Sequence, residues 1–170
     1  MQMIKKKIFL KKIRNHRHIE KEWIKWLNDK TLNKYSLKKK NYHTIETQKK
    51  FLQKKISDKK NIIFRVYLGN NFIGICEIDN IAITQCEIKY MIGDKKYLKK
   101  GHGSSLIKKM VFFCKNTLKV KKIFAGVVDK NIASLKVLKK NGFKKIDKKM
   151  KPLIIDKKKF NIIFFKKLIY

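Results

Sequence analysis

Acidic residues are scarce: 12 Asp and Glu stand against 46 Lys and Arg, a formal net charge of +34. Arginine is nearly missing, with Arg14, Arg17 and Arg65 the three in 170 residues. Proline occurs once, glycine 7 times, and alanine only at Ala82, Ala125 and Ala133. The abundant Lys, Ile, Asn and Phe have A/T-rich codons and the scarce residues G/C-rich ones. Base composition therefore accounts for much of the lysine excess. The lysines are scattered through every predicted element, whereas a basic RNA-binding module would gather them on one face with interleaved aromatics. A nucleic-acid partner is thus disfavoured but stays open, and the field still draws polyanions.

Long apolar runs are also missing. None approaches the roughly 20 residues of a membrane span. Met1 to Lys12 sets lysines around only Ile8-Phe9-Leu10, too short for a signal peptide and without a small-residue cleavage site. A cytoplasmic location is expected. Cysteine is limited to Cys76, Cys86 and Cys114, an odd count without CxxC spacing. Neither a disulfide framework nor a zinc site follows, and no metal is expected. Buried reduced thiols are expected instead.

What is present is an apolar fraction of 44%, ample for a folded chain. Residues 1–170 are read as a single domain. Ile8 to Ile13 reads as an edge strand. Ile19, Trp23, Trp26 and Leu27 give a helix over His18 to Leu27, ended by Asn28-Asp29. Lys30 to Tyr42 is a loop or short helix. Thr44 N-caps a helix through Ile56, with Ile45, Gln48, Phe51, Leu52 and Ile56 on one face. Ile62 to Leu68 and Phe72 to Ile78 flank the turn Gly69-Asn70-Asn71. Leu153 to Ile155 and Phe160 to Leu168 close the chain as two strands around Asp156 to Lys159.

Between these lies the stretch from Glu87 to Phe143. A strand, Glu87 to Ile92, leads through Leu98-Lys99-Lys100-Gly101-His102-Gly103-Ser104 into a helix. Leu106, Met110, Cys114 and Leu118 recur on its packing face, with Ile107 and Val111 beside them. A second strand, Ile123 to Val127, follows, then a shorter helix from Ile132 to Lys140 ended by Asn141-Gly142. Strand, glycine loop and helix start form a place for a phosphate, because first-turn N–H groups have no intrahelical partner.

Gly101 and Gly103, followed by Asn131, Ser134, Gly142 and Phe143 in that order and separation, resemble the GNAT superfamily of N-acetyltransferases. Leu98 and Lys99 depart from it, standing where Gln or Arg and a first glycine are usual. The resemblance implies an α/β (α+β) fold with a mixed, mostly antiparallel central sheet flanked by helices. That sheet splays between strands 4 and 5. Acetyl-CoA is the implied co-substrate. Backbone donors from Gly101, His102, Gly103 and Ser104 would grip the pyrophosphate, with Lys99 or Lys100 adding charge. His102 takes a variable, exposed position. N–H groups near Met91 and Ile92 would polarise the acetyl carbonyl, and Asn131 would bond the cofactor arm while capping its helix.

The family's usual tyrosine seven residues after that asparagine is Leu138 here. This Asn-x-Ala-Ser form resembles the Rim-type branch, and Ser134 becomes the candidate for steadying the thiolate. Asp79 and Glu87 are candidate bases, with Glu77 a third. Trp26-Leu27-Asn28-Asp29, Tyr35 and His43-Thr44-x-Glu46 look like a subgroup associated with surface-polysaccharide sugars. In that reading Asn28, Tyr35 and His43 line the pocket of a nucleotide-linked amino sugar, a small-molecule amine acceptor. Trp23, Trp26 and Leu27 are core. Protein N-terminal acetylation and a non-catalytic basic RNA-binding module are the alternatives. The sequence sets no oligomeric state.

Overall fold

The computed structural model describes residues 7–36, 42–148, 150–155 and 157–170. A seven-stranded sheet has the order β1-β2-β3-β4-β5-β9-β6. Its strands are β1 (Ile8–Lys12), β2 (Ile62–Leu68), β3 (Asn71–Asp79), β4 (Gln85–Ile92), β5 (Lys122–Val128), β6 (Lys144–Ile146) and β9 (Ile162–Leu168). β4 and β5 run parallel, and every other neighbouring pair is antiparallel. The helices are α1 (Lys21–Asn28), α2 (Ile45–Ser57), α3 (His102–Asn116) and α4 (Ile132–Lys140).

Strand alternation divides the core into two layers. Cys76, Ile78, Cys86 and Ile88 join Leu106, Ile107, Met110 and Cys114 of α3 on one face. Ile63 and Ile75 join Trp23, Trp26, Leu27 and Leu52 of α1 and α2 on the other. The three cysteines are buried and free, with Cys86 and Cys114 Sγ atoms 3.6 Å apart. Thr44 caps α2 as expected: its hydroxyl accepts from the Thr47 N–H, and the Thr47 hydroxyl accepts from the Thr44 N–H.

The expected splay is present. β4 and β5 pair only from Gln85 opposite Lys122 to Glu87 opposite Phe124. Beyond that point β4 continues to Ile92 and β5 to Val128 without pairing to each other. The C-terminal expectation needs correction. Leu153–Ile155 (β7) pairs with Lys158–Phe160 (β8) as a separate hairpin, leaving Ile162–Leu168 alone to re-enter the main sheet. Asp156, read as part of the intervening turn, lies outside the described residues, as do residues 37–41 of the Lys30 to Tyr42 segment. β6 was not anticipated; it forms because β9 offers it an edge opposite Lys166, Phe165 and Phe164.

Candidate active site

Two half-sites meet at the splay. On the α3–α4 side, the chain enters α3 through Gly101, whose φ of 82° is left-handed. Gly101 has no side chain to cap with, so the first-turn N–H groups of α3 get no side-chain acceptor from that position. Lys99 also adopts a left-handed φ, 58°, at the position where the family pattern has glycine. The backbone therefore keeps the glycine conformation although the side chain is lysine. Lys99 and Lys100 are exposed. His102 is only partly exposed, because its ring sits edge-on to Tyr97 with centroids 5.7 Å apart. The Ser104 side chain is buried and its hydroxyl accepts from Asn141 Nδ2 at 2.9 Å, which limits Ser104 to a backbone contribution.

Asn131 caps α4, its Oδ1 accepting from the Ser134 N–H at 3.2 Å. Across the gap, Tyr90 of β4 donates its hydroxyl to Ser134 Oγ at 3.5 Å. A Cβ added to Gly103 would lie 3.5 Å from the Tyr90 ring and 3.7 Å from Val137. Loop, β4 and α4 thus converge on Tyr90 and Ser134. Burial raises the Tyr90 phenol pKa, and the Ser134 contact only partly opposes it.

The β4 backbone can be assigned by ladder alternation. Gly93 N–H donates to the Ile73 carbonyl at 2.9 Å, and Ile75 lies opposite Met91. Hydrogen-bonded pairs therefore recur at Met91 and Lys89, turning their N–H and C=O groups to β3. The groups directed into the splay belong to Tyr90 and Ile92. Ile92 stays a candidate carbonyl donor, while Met91 is replaced by Tyr90.

On the α1–α2 side, a cavity of about 190 Å³ is lined by Trp23, Leu27, Asn33, Ser36, Ile75, Glu77, Lys89, Tyr90 and Met91. Trp23 and Leu27 are core residues as expected and form its apolar wall. The three expected sugar-binding residues are not among its lining. Asn28 spends its amide on His43, donating to the His43 carbonyl and accepting from its N–H, both at 2.8 Å. That pair ties the end of α1 to the start of α2. Tyr35 packs edge-on to Phe160 of β8 at 6.0 Å. Asn33 and Ser36, in a stretch with no readable motif, take the wall positions instead.

Among the candidate bases, Asp79 is 2% exposed and bridges Lys55 (2.7 Å) and Lys89 (2.9 Å). Burial alone would raise its pKa, but hydrogen bonds from the two lysines outweigh that and hold it below the usual carboxylate value. A carboxylate so held is a poor base. Glu87 accepts from Asn80 at 3.0 Å and does not line the cavity. Glu77, the third choice, does line it, with Lys55 3.3 Å away.

These features accommodate acetyl-CoA. The uncapped start of α3 and its lysines suit a pyrophosphate, and the unpaired length of β4 suits an arm with amide groups. Tyr90 stands where that groove meets the cavity. The chain belongs to the GNAT acetyltransferases: the Acetyltransferase (GNAT) domain model matches residues 7–144. It is similar to acetyltransferase PseH of Campylobacter jejuni subsp. jejuni serotype O:23/36 (strain 81-176). The two are 30% identical over 119 residues, which cover 70% of this chain and 73% of that protein.

Solved structures show the same fold. Campylobacter jejuni N-acetyltransferase PseH in complex with acetyl coenzyme A aligns with a TM-score of 0.68 at 22% identity, over 95% of this chain and 98% of that one. Spermidine N-acetyltransferase from Vibrio cholerae in complex with CoA and spermine aligns with a TM-score of 0.79 at 18% identity, over 95% of each. The protein is a GNAT N-acetyltransferase that uses acetyl-CoA. Among the described residues, no helix is long and apolar enough to cross a membrane.

Proposed function

We propose that the acceptor is the primary amine of a nucleotide-linked amino sugar, of the kind used in surface-polysaccharide synthesis. The observation that carries this is the mixed lining of the acceptor cavity. Trp23, Leu27, Ile75 and Met91 supply an apolar wall, while Asn33, Ser36, Glu77 and Lys89 supply polar contacts. An amino sugar matches that division, with a C–H face, hydroxyl groups and an amine. The Lys89 side chain is 52% exposed, which keeps a cation within reach of a nucleotide phosphate. The resemblance of Trp26-Leu27-Asn28-Asp29 and the following residues to the sugar-associated subgroup supports the same choice.

In this reading Gly101, His102, Gly103 and Ser104 bind the pyrophosphate through backbone N–H groups, with Lys99 and Lys100 adding charge. Acetyl-CoA supplies an activated acetyl thioester. Backbone N–H groups of Tyr90 and Ile92 polarise its carbonyl, and Asn131 orients the arm. Glu77 takes the amine proton. Asp79 holds Lys55 and Lys89 in place behind it, with Glu87 beside them. Ser134 steadies the departing sulfur.

The test is acetyl transfer to UDP-linked amino sugars set beside peptides with a free N-terminus, followed by mass spectrometry. Saturable transfer to an amino sugar, with the peptides unmodified, is the expected result. Preferential acetylation of the peptides would overturn the sugar reading in favour of a protein N-terminal acetyltransferase.

A further inference from the structure

Thioester aminolysis leaves a thiolate, and a buried thiolate needs a hydrogen-bond donor and then a proton. On α4 the side chain one turn beyond Ser134 is Leu138, 1% exposed and part of the apolar core. It offers no proton. The opposite wall of the gap does. Tyr90 projects from the part of β4 that has no pairing to β5, its hydroxyl 3.5 Å from Ser134 Oγ and its ring beside Gly103 of the phosphate loop. Tyr90 is also among the residues that line the acceptor cavity. No other phenol among the described residues combines contact with α4 and a place in that cavity lining.

We propose that Tyr90 is the acid of the reaction, hydrogen-bonding the departing sulfur and delivering its proton across the gap, with Ser134 as its relay. This rests on the acetyl-CoA groove described above. As the new C–N bond forms, the C–S bond breaks and its electron pair goes to sulfur. The Tyr90 hydroxyl proton follows it, giving the thiol. The phenolate is reprotonated through Ser134 from solvent, while the proton lost by the amine leaves on the acceptor side. No redox partner is required. Burial keeps Tyr90 protonated through the neutral range, and the same apolar surroundings raise the basicity of a neighbouring thiolate.

The test compares Tyr90→Phe with the native chain in calorimetric titrations of CoA and desulfo-CoA at pH 9 and high salt. Phenylalanine keeps the ring and removes only the hydroxyl. With a hydrogen bond to a charged sulfur, CoA binding should weaken about tenfold in the variant while desulfo-CoA binding stays within twofold. Turnover with any accepted amine should fall on the order of a hundredfold in kcat with KM little changed. Equal CoA affinity in both proteins would overturn the proposal. Equal weakening for both ligands would also overturn it, making Tyr90 a wall of the groove. Failure of the native chain to bind either ligand would instead remove the cofactor groove on which the proposal stands.

Discussion

At the residue scale, the site depends on how few carboxylates hold many ammonium groups. Asp79 is the clearest case, because both its oxygens meet lysines. Its folded pKa lies below the unfolded value of about 3.9, so the folded state binds fewer protons at low pH. The stabilisation is complete above that value and is lost as pH falls through the folded pKa. Urea titrations should show native stability declining in this acid window. Asp79→Asn should cost about 2 kcal/mol at pH 7, less than the 3–5 of a fully enclosed pair because Lys89 is half exposed. It should also flatten the acid decline. An equally steep decline in the variant would assign it to other carboxylates. The identity of such residues was legible in the sequence, but their neighbours were not. Asp79 lies 24 positions from Lys55 and Tyr90 lies 44 from Ser134, so only the fold brings either pair together.

At the element scale, the sequence disclosed what is locally encoded. The Thr44 cap and the Gly101 helix start are local, and so is the apolar face of α3. Each reflects backbone groups or a repeat within a few residues. β6 is different: Lys144-Lys145-Ile146 has no alternation long enough to read, and pairing with β9 makes it a strand. The β7–β8 hairpin is hidden in the sequence because Lys158 and Lys159 look like part of a turn and Phe160 runs into the following apolar stretch, whereas Asn161 separates the two strands. In the sequence Asn141 marks only a helix end. It proves to join α4 to α3, donating to Ser104 Oγ at 2.9 Å and to the Val137 carbonyl at 2.8 Å. Asn141→Ala should lower stability by about 2 kcal/mol through loss of one buried and one part-buried hydrogen bond. Because α3 and α4 flank the cofactor groove, acetyl-CoA affinity should fall severalfold as well. Stability lost without any change in that affinity would show that the bridge supports the core alone.

At the scale of the whole molecule, the charge is less uniform than the composition suggests. No Asp or Glu occurs between Asp94 and Asp129, the stretch that carries the phosphate loop, α3 and β5. Glu77, Asp79 and Glu87 instead lie on the face toward α1 and α2, the side to which the proposed function assigns the amine. In the proposed function, phosphates thus meet a cationic half and the amine a locally neutralised one. Exposed lysines act through solvent and are screened beyond about 10 Å at 0.1 M salt. Raising sodium chloride from about 0.05 M to about 0.5 M should therefore weaken acetyl-CoA binding on the order of tenfold, chiefly by slowing association. Binding of uncharged acetyl-pantetheine, which reaches the splay but not the phosphate loop, should hardly change. ATP should follow acetyl-CoA at low salt and lose measurable binding at high salt, because it has no arm to place beside β4. If acetyl-CoA and ATP instead declined together to nothing, the lysines would be the whole basis of binding. The groove between β4 and α4 would then contribute no selectivity.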